Sequence, residues 1–316
     1  MRRLVIIALV VVAVLVAVFA LRDTSASRDV DVVIAPGSSL TAAASALEQA
    51  GAIGSADAFL TRAKLFGGEE AIKPGEYRIT KGMDAGDVLD LLQSGKTLQR
   101  LVRIPEGMAS ILVHERLMAL PLLTGSIAVP PEGSVLPDSY AYTRGEKRSA
   151  VVARMQKAMQ TALANAWAKR KPGIAVTSPE QAIILASIVE KETGQASERR
   201  MVAGVYTNRL KQGMPLQADP TTIYPVTRGK PLGRRILRSE LDAENGYNTY
   251  QRAGLPIGPI TNPGKASITA ALDPARTQAL YFVADGSGGS TFANTLSEHN
   301  ANVQRFYALR RARGEM

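Results

Sequence analysis

The sequence predicts an α+β protein in three parts, and three observations support this. The first is an apolar run of 18 residues from Leu4 to Leu21, long enough to cross a bilayer as a helix. The second is a strand–helix–helix–strand pattern after residue 30, and the third is a series of helical patterns with few strands after residue 106. We therefore expect a transmembrane anchor with a short cytoplasmic N-terminus over 1–22, a linker and small module over 23–105, and a mixed α+β domain over 106–316.

The apolar run follows Arg2 and Arg3. Positive charge favours the cytoplasmic side, so the chain after Leu21 is expected outside the cytoplasm. A cleaved signal peptide is the alternative, with Ser25–Ser27 as a weak cleavage site. Because Arg22 directly follows the apolar run, a retained single-pass anchor is favoured.

The module after the linker alternates short strands and amphipathic helices. Pro-Gly pairs and glycines separate these elements, which is typical of turns and helix ends. We expect strands over Val30–Ile34, Glu76–Ile79 and Leu98–Ile104, and helices over Ser39–Ala50, Ala56 to about Leu65, and Asp84–Gln93.

Composition excludes several kinds of site. The chain has no cysteine, so disulfides and thiolate chemistry are excluded. Its two histidines, His114 and His299, are far apart, and neither a metal nor a cofactor is expected.

The net charge is +10, and part of the excess lies between Arg144 and Lys171, where eight basic residues face one acid, Glu146. No series of aromatic residues interleaves this run and no binding motif accompanies it, so no nucleic-acid partner is expected. Anionic lipid or an acidic polymer fits better. An ordinary solvated helix face is an equal alternative.

The most informative segment is a helix expected over Ser178–Thr193. Ser178 can cap it, Pro179 fits its first turn, and Gly194 follows its end. It is apolar almost all round until its last turn, which predicts burial on several sides.

Two glutamates, Glu190 and Glu192, occupy that last turn on nearly opposite faces. Glu192 shares its face with Leu185 and Ile188. A carboxyl held against apolar groups has a raised pKa and can donate a proton near neutral pH. The alternative is that either glutamate only forms an ion pair, with Lys191, Arg199 or Arg200.

Hydrogen-bonding and aromatic side chains follow further along the chain, in a Gly213–Tyr224 segment whose last part is expected to be extended and in the run Tyr247–Tyr250. Such side chains suit a sugar, which has hydroxyls at its edge and C–H groups on its faces. The candidate substrate contacts are Gln217, Asp219, Tyr224, Asn248 and Tyr250. Asp219 precedes Pro220, so a turn-capping role is preferred over that of a second catalytic carboxylate.

From about Ser178 to Asn300 the chain closely resembles the endolytic murein transglycosylases of the MltG (YceG-like) family. The matching motifs are Ala186–Thr193, Asn208–Leu210, Leu216–Thr221, Tyr247–Tyr250, Tyr281–Gly286, Thr291–Phe292 and Glu298–Asn300. The order of anchor, LysM-like module and catalytic domain matches too. One departure is Ser290, where many relatives carry His before Thr-Phe.

The resemblance implies a lyase that cleaves the MurNAc–GlcNAc bond of nascent peptidoglycan strands and leaves 1,6-anhydro-MurNAc ends. The essential glutamate is the one directly before Thr, here Glu192. The implied setting is the inner (plasma) membrane, with the C-terminal domains outside the cytoplasm and peptidoglycan synthases (penicillin-binding proteins) as partners. The alternative is a non-catalytic, membrane-anchored scaffold that binds peptidoglycan.

Overall fold

The computed structural model describes residues 26–67 and 70–315. The expected anchor over Leu4–Leu21 lies outside them. Among the described residues, no helix combines the length and apolar character needed to cross a bilayer. The described chain is mixed α+β, as predicted, and its strands form three two-stranded sheets, β1–β2, β3–β4 and β5–β6.

The elements follow in this order. Strands are β1 (Val30–Ile34), β2 (Gly75–Ile79), β3 (Arg100–Arg103), β4 (Ser139–Tyr142), β5 (Tyr281–Ala284) and β6 (Ser290–Ala293). Helices are α1 (Leu40–Gln49), α2 (Ala56–Phe66), α3 (Ala85–Ser94), α4 (Ser110–Met118), α5 (Arg148–Ala168), α6 (Pro179–Glu192), α7 (Arg199–Lys211), α8 (Asp219–Thr227), α9 (Arg238–Leu241), α10 (Lys265–Leu272) and α11 (Leu296–Ala312). A short 3₁₀ turn covers Ala196–Glu198.

The chain divides into two compact units. Among the described residues, the first comprises 26–67, 70–100 and Ala141–Gly145, and the second comprises Leu101–Tyr140 and 146–315.

In the first unit, β1 and β2 pair antiparallel, with Val32 opposite Tyr77. Ser39 and Ser55 start its first two helices, since each accepts a hydrogen bond from a first-turn N–H. A core of fully enclosed side chains lies between the sheet and α1–α3; it includes Leu47, Phe59, Tyr77, Ile79 and Leu92.

The second unit is built around α6. Its side chains from Ala182 to Val189 are buried apart from Ile184, as the apolar pattern predicted. It packs against α5, α7, α8 and α10. Because α6 is enclosed on most sides, only its ends reach a surface.

One sequence expectation is wrong. The end of the Gly213–Tyr224 segment is not extended, because α8 begins at Asp219. Pro220 stands in the first turn of this helix, where proline needs no backbone N–H donor and its fixed φ suits the helix.

Three arginines of the basic run have partners within the described chain. The Arg148 guanidinium is buried and donates to the carbonyls of Leu117, Met118, Leu120 and Gly125, which fixes the end of α4. In the first unit Arg144 pairs with Glu76, and in the second Arg154 pairs with Glu146. These arginines have structural roles.

Candidate active site

The C-terminal end of α6 places Glu192 at a cavity. At the other end of the helix, Ser178 accepts a hydrogen bond from the Gln181 N–H at 3.3 Å, and Pro179 opens the first turn, as predicted. Glu192 is the last helical residue, and the backbone of Thr193 is already extended. The chain therefore turns away where the Glu192 carboxyl emerges from the core.

The cavity has a volume of about 320 Å³. It is lined mostly by polar and aromatic side chains, which come from α6, α7, the segment before α8, the start of α8, the loop that carries Tyr250, β5 and α11. They are Glu192, Tyr206, Arg209, Leu216, Gln217, Asp219, Tyr250, Phe282 and His299. Side chains from several segments that are distant in sequence thus converge on one carboxyl group.

The pKa of the Glu192 carboxyl is raised from 4.5 to about 7. Burial is the largest cause of this rise. A hydrogen bond with the Tyr206 hydroxyl and the charge of Arg209 act in the opposite direction, and the negative charge of Asp219 adds to the rise. At neutral pH a large fraction of Glu192 is therefore protonated. This is the state that a general acid requires.

Arg209 is a cation in the wall of the cavity, and hydrogen bonds hold it in place. It is buried, and it donates to the carbonyls of Leu280 at 2.6 Å and Leu216 at 3.0 Å and to Gln217 Oε1 at 3.2 Å. Burial lowers its pKa. Gln217 itself has a left-handed backbone, with φ of 51°, which costs about 1 kcal/mol or more in a residue other than glycine. That unusual conformation brings its side chain to Arg209.

Asp219 is the second carboxylate of the cavity. It is the first helical residue of α8, and no side-chain capping bond forms at the start of that helix, so the preferred turn-capping role is not what the structure shows. Its Oδ1 accepts a hydrogen bond from the Tyr250 hydroxyl at 2.5 Å. Three of the five candidate substrate contacts thus line the cavity, namely Gln217, Asp219 and Tyr250.

Tyr224 and Asn248 do not line the cavity. The Tyr224 hydroxyl donates to Glu132 at 3.2 Å. Asn248 is fully enclosed, and its amide donates to the carbonyls of Leu241 and Ala243 while its oxygen accepts from the Tyr250 N–H. Asn248 therefore shapes the loop that carries Tyr250.

Glu190 has a different environment. Its Oε2 accepts a hydrogen bond from the Gly264 N–H at 2.9 Å, at the start of α10, and its Oε1 lies 3.8 Å from Arg199. Its side chain is 6% exposed. The ion-pair alternative raised from the sequence thus describes Glu190, with Arg199 as the partner.

No role was assigned from the sequence to five of the cavity residues, which are Tyr206, Arg209, Leu216, Phe282 and His299. Arg209, Phe282 and His299 lie in the motifs quoted above, which was the only available signal. His299 stacks on Tyr281 at 5.2 Å and its Nδ1 has no hydrogen-bond partner among the described residues. Burial and the Arg209 charge lower its pKa, so at neutral pH it is an uncharged donor or acceptor.

Within the described part of the chain, no cluster of three or more His, Cys, Asp or Glu residues could hold a metal ion. The side chains at the cavity are those of acid–base and hydrogen-bonding chemistry. One carboxyl with a raised pKa, one fixed cation and several hydroxyl and amide groups define a site for a polar, hydroxyl-bearing substrate.

Known proteins share this architecture. A model of the YceG-like family matches residues 32–305, so the chain belongs to that family. A protein of Bacillus subtilis (strain 168) named endolytic murein transglycosylase is 28% identical over 90% of this chain and 86% of its own length. A protein of the same name from Streptococcus pneumoniae (strain D39) is 26% identical over 89% of this chain and 59% of its own length. A crystal structure of a YceG-like protein from Listeria monocytogenes aligns with a TM-score of 0.55 and 28% identity, over 87% of this chain and 98% of that one.

Proposed function

We propose that this chain is an endolytic murein transglycosylase, a lyase that cuts peptidoglycan strands between N-acetylmuramic acid and N-acetylglucosamine. The observation that carries the proposal is the pKa of Glu192, raised by burial to about 7 in a cavity of hydrogen-bonding side chains. The names of the Bacillus and Streptococcus relatives support the substrate class.

In the proposed reaction Glu192 donates its proton to the glycosidic oxygen as the bond to C1 of the muramic acid breaks. The Glu192 carboxylate then takes the proton from the 6-hydroxyl of the same sugar, and this oxygen attacks C1. The products are a free hydroxyl on the leaving sugar and a 1,6-anhydro ring, and no water is consumed. Because the attacking hydroxyl belongs to the reacting sugar, its effective concentration is high.

The neighbours of Glu192 suit both halves of this cycle. Burial favours the protonated form at the start, whereas the Tyr206 hydroxyl and the Arg209 charge favour the carboxylate once the proton has left. A glycosidase that uses water needs a second carboxylate as base or nucleophile. The second carboxylate here, Asp219, is hydrogen-bonded to Tyr250 and, in this proposal, acts on Glu192 through its charge and orients the substrate.

The proposal extends to the setting of the enzyme. The apolar run over Leu4–Leu21 would hold it in the inner membrane with its folded units outside the cytoplasm. The order β1–α1–α2–β2 of the first unit, with its strands antiparallel, supports a LysM-like glycan-binding module. Action on nascent strands would make it a terminase of glycan elongation beside the peptidoglycan synthases.

Product analysis tests the proposal. Purified glycan strands are incubated with the protein, and the fragments are examined by mass spectrometry. Anhydro ends, which are lighter by one water than reducing ends, are expected from the wild type and not from Glu192→Gln. Reducing ends would indicate a hydrolase, and normal fragment release by Glu192→Gln would reject the assignment. No cleavage by the wild type, with retained strand binding, would favour the scaffold alternative.

A further inference from the structure

A second cavity lies on the other side of α7. It has a volume of about 660 Å³, twice that of the Glu192 cavity, and the proposed reaction makes no use of it. Its walls are the segment after α5, one face of α7 and the loop after α10, which is residues 273–277.

Helix α7 separates the two cavities. At 100° per residue, Gly204 and Lys211 lie about 160° and about 140° around the helix from Tyr206. Tyr206 and Arg209 line the Glu192 cavity, whereas Gly204, Thr207 and Lys211 line the second one. Helix α7 thus presents one face to each of the two cavities.

The second cavity is strongly basic. Four cations and one acid lie along it: Lys171, Arg200, Lys211, Arg276 and Asp273. Arg200 donates to Asp273 Oδ1 at 3.0 Å, so the only acid in the lining is already paired. The side chains of Lys171, Lys211 and Arg276 have no ion-pair partner among the described residues. Three uncompensated cations around one concave surface favour an anion.

The wall of the cavity also holds a buried hydrogen-bonding group, the hydroxyl of Thr207. Thr207 is 4% exposed, and its hydroxyl has no hydrogen-bond partner among the described residues. A buried hydroxyl without a partner costs about 1–3 kcal/mol. A ligand oxygen in the cavity would supply the missing partner.

The wall opposite α7 is fixed in place, so the cavity is formed before any ligand arrives. The Asn208 amide donates to the carbonyls of Thr277 at 2.9 Å and Ala279 at 3.0 Å, and the Ala275 N–H donates to the Arg200 carbonyl at 2.9 Å. Gly204 permits this close approach, since a Cβ there would lie 2.7 Å from the Ala275 carbonyl oxygen.

We propose that the second cavity binds the carboxylates of the stem peptide carried by a glycan strand that occupies the Glu192 cavity. This rests on the proposed function. Lys171, Lys211 and Arg276 would pair with the carboxylates, and the Thr207 hydroxyl would donate to one of them.

The dimensions agree with this assignment. A volume of about 660 Å³ holds a short peptide rather than a polymer. A five-residue branch spans at most about 17 Å, whereas an α-helix with its side chains is about 10–12 Å wide. The path halfway around such a helix is about 16–19 Å long, so a fully extended stem just spans from one face of α7 to the other.

The test is calorimetric titration of the full chain with a free acidic tripeptide, L-Ala-γ-D-Glu-diaminopimelate. We expect saturable binding by the wild type, weakened by added salt, and none of the tripeptide whose carboxylates are converted to carboxamides. Lys211→Glu should weaken binding more than tenfold. Lys157→Glu, the same charge change on the exposed face of α5, should leave it unchanged.

Thr207→Val separates binding from folding. It removes the hydroxyl at nearly constant volume, so affinity should fall about tenfold. The midpoint of thermal unfolding should not fall, because no hydrogen bond is lost in the free protein. Equal tripeptide affinity of the wild type, Thr207→Val and Lys211→Glu would overturn the proposal, as would binding of inorganic phosphate in the absence of tripeptide binding.

This experiment is independent of the proposed reaction. Glu192→Gln should bind the tripeptide as the wild type does, because Glu192 does not line the second cavity. A result without tripeptide binding but with anhydro products would contradict only the second cavity's assignment. A result with tripeptide binding but without anhydro products would contradict only the proposed reaction.

Discussion

The two faces of the last turn of α6 place chemically identical groups in opposite environments. Glu190 is held by a backbone N–H of α10 and by Arg199, and it joins two helices. Glu192 faces a cavity, where burial dominates and its pKa rises to about 7. The difference teaches that position on the helix, and not the residue type or its neighbours in sequence, decides which glutamate can act as an acid.

The largest expected effect is on the rate of strand cleavage. Glu192→Gln should lower kcat about a thousandfold, since general acid–base catalysis contributes roughly 10²–10⁴-fold. Glu190→Gln is the matched control, and it should keep kcat within a few fold in the fraction that is folded. Comparable losses in the two variants would remove the distinction between the two faces.

The next effect is on stability and its pH dependence. Because the pKa of Glu192 is higher in the folded chain than the ordinary value of 4.5, folding takes up a proton. Stability is therefore lost as the pH rises from about 4.5 to about 7, and the loss reaches about 3 kcal/mol above that range.

Glu192→Gln lacks this penalty. Urea unfolding at pH 8 should show the variant more stable than the wild type by about 3 kcal/mol, with the difference vanishing near pH 4. A constant difference at all pH values would mean that Glu192 ionises normally in the fold.

A smaller effect on stability is expected from substitution of Glu190, on the opposite face of α6. Glu190→Ala removes the acceptor of the Gly264 N–H and leaves Arg199 with Glu106 as its remaining partner. We expect a loss of about 2 kcal/mol, measured by urea unfolding at pH 7. A change under about 0.5 kcal/mol, the size of an ordinary surface substitution, would contradict the structural role of Glu190.

The smallest effect concerns the tuning of Glu192 by Asp219. Asp219→Asn removes a negative charge that raises the pKa of Glu192. The pH at which kcat/KM declines on the alkaline side should move down by roughly 0.5–1 unit. Asp242→Asn, in an exposed ion pair with Arg238, is the control and should not move it.

The sequence predicted the helix that carries Glu192. Ser178, Pro179 and the apolar residues between them and Glu192 are local signals, and they place Glu192 at the C-terminal end correctly. The start of α8 was missed because Asp219–Pro220 is equally typical of a turn and of a first helical turn.

The composition of the cavity was less predictable, because it depends on tertiary packing. Phe282 and His299 come from β5 and α11, about 90 to 107 residues beyond Glu192, and no local pattern brings them together. Asn248 has the polar side chain of a sugar contact, but burial and three backbone carbonyls hold it in a loop. Burial of a polar residue in a loop cannot be seen in its immediate sequence.

The most direct test of the central claim is titration of the Glu192 carboxyl in the free protein. Difference infrared spectra of the wild type against Glu192→Gln, recorded from pH 3 to pH 9, isolate the carboxyl stretch of this one residue. We predict conversion from carboxylic acid to carboxylate with a midpoint of about pH 7. A midpoint near 4.5, the ordinary value for glutamate, would contradict the account.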